Sequence, residues 1–227
     1  MMFKVLLILA CLSAIAGFGL GRELQDSMGV PKTCTRIECP TYTVTYSGSN
    51  YEIRHYDAII WMSTSPLQNI SFVGATRAGF LQLFDYIQGK NSYNEKIEMT
   101  GPVITEVSPS DGPLCESSFT VSFYVPKANQ ADPPPADTLN EQKWGNLNVA
   151  VRRFSGFASD YDIAVEAAAL QASLAGTEWG KVDGRNERAE NKLSFAYVVA
   201  QYNSPFEIFN RVNEIWMLVE TPGKAEV

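Results

Sequence analysis

Histidine is almost missing from this chain: His55 is the only one among 227 residues. That scarcity excludes a histidine-built metal cluster. A Gly-x-Ser-x-Gly nucleophile elbow is also absent. No glycine-rich phosphate cradle leads into a helix, because Gly145 and the glycines between 176 and 184 lack that context. Positive charge is short, with 18 Lys and Arg against 25 Asp and Glu for a formal net charge of −7. With no basic run to offset that balance, a nucleic-acid backbone is excluded as a partner. Cysteine is sparse too, at four residues. Beyond the N terminus no stretch is apolar enough to span a bilayer, so the processed chain is expected to be soluble, without a membrane span.

The N terminus itself is different. Lys4 is followed by an apolar run from Val5 to Phe18, and small residues cluster from Ala14 to Gly21. A positive start, a short apolar stretch and a small-residue exit describe a secretory signal peptide over residues 1–21, cut between Ala16 and Gly21. A membrane anchor is the alternative, but the run is shorter than the ~20 residues that a spanning helix needs. Cleavage removes Lys4 and leaves 17 basic residues against 25 acidic ones, a net charge of −8. It also removes Cys11, leaving Cys34, Cys39 and Cys115. In an oxidising compartment two of these pair, most simply Cys34 with Cys39 or Cys39 with Cys115. Three cysteines without a Cys-x-x-Cys pair are poor zinc spacing. Asn69-Ile70-Ser71 is a glycosylation acceptor on an expected loop. The expected location is the secretory pathway, extracellular or vacuolar, and the expected state is a monomer.

Two segments carry helical periodicity. Between Ser71 and Gly89, the residues Val73, Thr76, Phe80, Leu83, Phe84 and Ile87 form one apolar stripe. Between Ser159 and Gly176, Ile163, Ala167, Leu170 and Leu174 form another, opened by Ser159 and Asp162 in a variant capping box. Gly89 and Gly176 suit left-handed helix ends. Strand-like segments are Tyr51 to Ser63, Lys96 to Val107, Ser118 to Val125, Leu147 to Phe154, Leu193 to Tyr202 and Asn213 to Glu220. Asp132-Pro133-Pro134-Pro135 marks a central loop. The order is a βαββ unit written twice. It predicts an α+β fold, one antiparallel sheet curved into a distorted barrel with both helices outside.

Six ordered blocks then resemble the SOUL/heme-binding protein family. They are Tyr51-Glu52-Ile53-Arg54; Tyr86 to Asn91; Lys96 to Val103; Ser122 to Pro126; Phe154 to Phe157; and Tyr202 to Phe206 followed by Asn213 to Trp216. The resemblance implies residues 41–221 as one SOUL domain, with a Cys-containing extension at 22–40 and a tail at 222–227. It also implies tetrapyrrole binding, of heme or another porphyrin, as the activity. In some relatives a histidine directly after the Tyr-Glu-x-Arg motif is assigned as an iron ligand, and His55 matches that position. Strand alternation would place Ile53, His55, Ile59 and Trp61 on one face. The plainer reading makes His55 a strand residue bonded to a neighbour such as Asp57.

A second arrangement in the family needs no dominant iron ligand. It cradles the porphyrin between the first helix and the loop before the last strand. Carried over by position, it gives Arg77, Phe80 and Phe84 from the helix and Phe206 and Phe209 from the loop. Arg77 would hold a propionate through two hydrogen bonds. Asp85 and Glu207 stand where the family favours basic residues, and their charge would oppose propionates. Met99 offers a thioether, although core packing is its commoner use. Glu52 and Arg54 share a strand face and are expected to pair. Family kinship with small-molecule-binding domains, some of them hydrolytic, raises an enzymatic alternative in which Glu214 beside Trp216 acts as a base. Its plainer reading is a carboxylate paired with Arg211 or another strand residue. The expected function is non-enzymatic: a reversible tetrapyrrole carrier, buffer or sensor. A Glu214 hydrolase or lyase, or a protein-interaction module with a vestigial site, are the alternatives.

Overall fold

A computed structural model describes residues 28–110, 116–180 and 195–220. The signal segment, Cys115 and the 222–227 tail lie outside the described residues. In chain order the elements are β1 (Thr43–Ser47), β2 (Glu52–Tyr56), β3 (Ile59–Thr64), β4 (Leu67–Asn69), α1 (Phe72–Ile87), β5 (Val103–Ser108), β6 (Ser117–Tyr124), β7 (Leu139–Trp144), β8 (Leu147–Ser155), α2 (Asp160–Leu174), β9 (Tyr197–Gln201) and β10 (Val212–Val219). Short 3₁₀ turns occupy Lys32–Thr35 and Lys127–Asn129.

The strands form one antiparallel sheet, ordered β1-β2-β8-β10-β9-β5-β6-β3-β7, with β4 paired to β6. The sheet curls into a half-barrel. Its centre is a duplicated pattern: β10 lies between β8 and β9, as β6 lies between β3 and β5. The strand preceding each unit adds to the other unit's edge, β2 to β8 and β7 to β3. The two halves are therefore interlocked in one sheet.

Pleat alternation sorts the core into layers. Ala150 and Phe154 of β8, with Ile215 and Met217 of β10, pack under α2 residues Ile163, Ala167, Leu170 and Leu174. Met62, Val121 and Phe123 pack under α1 residues Leu83, Tyr86 and Ile87. The intervening residues, including Tyr56, Trp61, Trp144, Val149, Val151 and Trp216, fill the other face. Gly79 permits the close approach of α1, because a Cβ there would overlap the Val121 side chain. Both helices start as the sequence predicts: Ser71 Oγ accepts from Gly74 N at 3.2 Å, and Ser159 Oγ accepts from Asp162 N at 3.1 Å. Gly89 and Gly176 close them at φ +104° and +76°.

The strand boundaries differ from the sequence reading in three places. The segment from Tyr51 is two strands, broken at Asp57 and Ala58. The segment from Lys96 becomes a strand only at Val103, after Pro102, which has no N–H for a ladder. The edge strands β1, β4 and β7 escaped detection. Their positions are mostly exposed or half-buried, so they carry little apolar alternation. Asn69 ends β4 instead of lying in a loop, and its Oδ1 accepts from Ser71 N at 3.0 Å.

Candidate functional site

The apolar side of α1 is two stripes, not one. Phe72, Ala75, Gly79, Leu83, Tyr86 and Ile87 are buried along the helix. One step around it, Val73, Thr76, Arg77, Phe80, Leu81 and Phe84 border a cleft of about 850 Å³. Opposite them stand the β9–β10 loop with Phe206, Glu207 and Arg211, the post-β8 residues Phe157 and Ala158, and the 99–103 segment with Met99. Thr33, Arg36 and Ile37 of the N-terminal turn complete the wall. That volume falls within the ~300–1,000 Å³ typical of small-molecule sites.

Aromatic rings dominate the wall. Phe80 stacks on Phe84 with centroids 5.8 Å apart and planes 15° apart, and meets Phe123 edge-on at 5.4 Å. Phe206 is 92% exposed at the mouth. Phe209 is 80% exposed but does not border the cleft.

The charges give the cleft a positive character that the whole chain lacks. Arg77 is exposed and makes no ion pair among the described residues. Arg211 is buried, packs over the Phe157 ring at 4.6 Å, and donates through Nη1 to the carbonyls of Ser204 and Glu207 at 2.8 and 2.7 Å. Its Nε is buried without a partner. Burial lowers the Arg211 pKa, opposed by the charge of Glu207. Arg36 donates to Glu207 at 2.6 Å, and that bond, with one from Asn203, holds the Glu207 carboxyl below its usual range. Three arginines thus face one glutamate, a local net charge of +2. The feared repulsion from Asp85 and Glu207 is reduced on both counts. Asp85 does not border the cleft and pairs with Lys90 at 2.7 Å, while Glu207 is neutralised by Arg36.

His55 lies elsewhere. It does not border the cleft, its Nδ1 is 2.9 Å from Asn148 Oδ1, and its Nε2 is 3.9 Å from Asp57. The expected shared face with Ile59 and Trp61 does not form. The strand break at Asp57 and Ala58 sends those two into the layer of Tyr56 instead.

Glu214 occupies the sheet interior, fully buried. Oε2 accepts from Arg54 Nη1, Tyr202 and Trp216 at 2.8, 2.9 and 2.9 Å. Oε1 accepts from Arg54 Nη2 and from Arg153 Nε and Nη2 at 2.9, 3.0 and 2.7 Å. Burial alone would raise its pKa, but the Arg54 and Arg153 charges outweigh it and lower the carboxyl to about 2. A carboxylate with every lone pair taken cannot serve as a general base near neutral pH. Of the two plainer pairings, with Arg211 or with another strand residue, the second forms: the partners are Arg54 of β2 and Arg153 of β8. The expected Glu52–Arg54 pair does form, through Arg54 Nε.

Cys34 is bonded to Cys39, which decides between the two pairings. Sequence reasoning overlooked Arg36 and Arg211 as parts of the cleft. The one available signal for Arg36 was its place between two cysteines that could close a loop around it.

Comparisons with known proteins bear on the family and the fold. A family model described as SOUL heme-binding protein matches residues 37–218. Heme-binding protein 2 of Homo sapiens is 38% identical over 180 residues, spanning 78% of this chain and 82% of that protein. Heme-binding protein 1 of Xenopus laevis is 27% identical over 173 residues, spanning 75% and 84%. Among solved structures, the EcmrR C-terminal domain is similar at TM-score 0.50 and 9% identity, over 79% of this chain and 98% of that one. EcmrR in its DNA complex reaches 0.55 at 8% identity, over 75% and 57%. These two likenesses concern the fold alone.

Proposed function

The chain belongs to the SOUL heme-binding protein family, and from that premise we propose that it binds a tetrapyrrole reversibly in the α1 cleft, as a carrier, buffer or sensor without catalysis. The observation that carries this reading is the composition of the cleft: an aromatic wall with two arginines, Arg77 and Arg211, that make no ion pair among the described residues. A flat apolar ring with two propionates asks for that combination. Rings stack on the phenyl groups, and guanidinium N–H groups meet carboxylates. The unpartnered Arg211 Nε is a buried donor with desolvation unrepaid until an acceptor arrives.

Iron ligation contributes little in this reading. Among the described residues no histidine borders the cleft, the Tyr202 hydroxyl is committed to Glu214, and Met99 is the one sulfur donor on the wall. The ring and its carboxylates therefore dominate affinity. The Cys34–Cys39 bond supports work in an oxidising compartment, the secretory pathway with an extracellular or vacuolar end. The chain acts as a monomer in this account.

Titration of the purified protein with hemin and with metal-free protoporphyrin tests the proposal. Saturable spectral changes near one equivalent are expected for both, with affinities within about threefold of each other, since a gap of that size is under 1 kcal/mol. No saturable change with either compound would overturn it.

A further inference from the structure

The residues before β1 were read as an extension outside the domain, yet they form part of the cleft wall. Thr33, Arg36 and Ile37 face the cavity. One internal cross-link and two attachments hold this strap. Cys34 is bonded to Cys39 five positions on. Arg36 reaches Glu207 on the opposite loop at 2.6 Å. Glu38 accepts from Gly101 N through its carbonyl and from Lys127 N through Oε1, both at 2.9 Å. Ile37 also packs tightly on Gly101, where a Cβ would stand 3.1 Å from Ile37 Cδ1.

The strap has little order of its own. Its 3₁₀ turn is four residues long and has no side-chain cap. A turn of that length is not stable alone. The ring closed by Cys34 and Cys39 restricts the backbone that presents Arg36 and Ile37.

We infer that this strap is a wall of the binding site, that Arg36 is an affinity-determining residue, and that the Cys34–Cys39 bond sets the strap's order. The inference rests on the tetrapyrrole reading of the cleft. The Arg36 guanidinium carries five N–H donors, so a bond to Glu207 leaves others for a ligand carboxylate. A dithiol or two glutathione molecules would reduce the bond. Two electrons and two protons pass to the sulfurs, the Sγ–Sγ bond breaks, and the donor forms its own disulfide. The freed strap must then be ordered again by the ligand, which weakens binding. Linkage requires the converse: ligand that prefers the closed strap must favour the oxidised form by the same factor.

The test uses metal-free protoporphyrin, so that thiols cannot ligate iron. Affinity is measured for the wild-type protein, Cys34→Ser/Cys39→Ser and Arg36→Ala, with circular dichroism to confirm folding. A loss of about tenfold is expected for the double variant and about fivefold for Arg36→Ala, at the lower end of usual couplings. A second measurement needs no variant. Wild-type protein is equilibrated in glutathione buffers with and without saturating protoporphyrin, and Cys34 and Cys39 alkylation is read by peptide mass. A tenfold preference lowers the midpoint potential by about 30 mV. Unchanged affinity together with an unchanged potential would overturn the inference while leaving the cleft reading intact. No binding by the oxidised wild-type protein would overturn the cleft reading, and the strap's role with it.

Discussion

Arg54 on β2 grips Glu214 on β10 through two hydrogen bonds, 2.8 and 2.9 Å long, although β8 lies between their strands. Neither side chain is exposed. Glu52 and Arg153 complete a four-charge cluster of zero net charge, and the Tyr42 ring covers the Arg54 guanidinium at 4.2 Å. The arrangement stitches three adjacent strands from one side of the half-barrel. It is a structural device, and it uses the residues that the Tyr-Glu-x-Arg block and the Glu214 block contribute.

Glu214→Gln should therefore act on stability. Removing Glu214 leaves Arg54 and Arg153 buried against Glu52 alone, a cluster net charge of +1 and a loss of about 3–5 kcal/mol. Urea unfolding measures it. Because folding lowers the Glu214 pKa to about 2, its contribution is complete above pH 4.5 and fades as pH falls toward 2. The variant should lose that acid limb. Wild-type stability in the variant, joined to a lost hydrolytic activity, would restore the enzymatic alternative.

Glu106 points the other way. It is buried on β5, accepts from Gln142 Nε2 at 2.8 Å, and makes no ion pair among the described residues. Burial, opposed in part by hydrogen bonding, raises its pKa to about 7. A carboxyl raised on folding contributes fully below its unfolded pKa of 4.5 and loses that contribution as pH rises through 7. Stability should fall by roughly 3 kcal/mol across that window. Glu106→Gln should flatten the slope between pH 5 and 8 in thermal melts. An unchanged slope would contradict the assignment.

His55→Ala should leave porphyrin binding unchanged, because His55 bonds to Asn148 away from the cleft. Hemin spectra of the variant and the wild type should superimpose. A lost or shifted Soret band in the variant would show His55 reaching iron after all.

Gly79→Val should destabilise the fold by about 1–3 kcal/mol, since a side chain there overlaps Val121 and lifts α1 from the sheet. Chemical denaturation reads the loss directly.

How much of this was legible depended on periodicity. Both helices followed from apolar spacing, and Ser159, Gly89 and Gly176 marked one start and both ends. The strands of the duplicated core showed as β-branched and aromatic runs, whereas β7, with the sequence Leu-Asn-Glu-Gln-Lys-Trp, gave no such run. The cleft was half legible. Phe80 and Phe84 recur at helical spacing, but spacing cannot tell the stripe under α1 from the stripe beside it. Arg36 and Arg211 were hidden because their roles depend on contacts to Glu207 and Phe157, far away in sequence or across a loop. The expected face shared by His55, Ile59 and Trp61 was lost because strand alternation does not survive the break at Asp57 and Ala58.

The most direct test of the central claim is protoporphyrin affinity on Arg77→Glu. Arg77 is exposed and makes no ion pair among the described residues, so the change spares the fold while reversing charge at the cleft's edge. The account predicts a folded protein whose affinity falls by about tenfold, the worth of one charge-assisted contact. Wild-type affinity in this variant would place the ligand elsewhere and contradict the account.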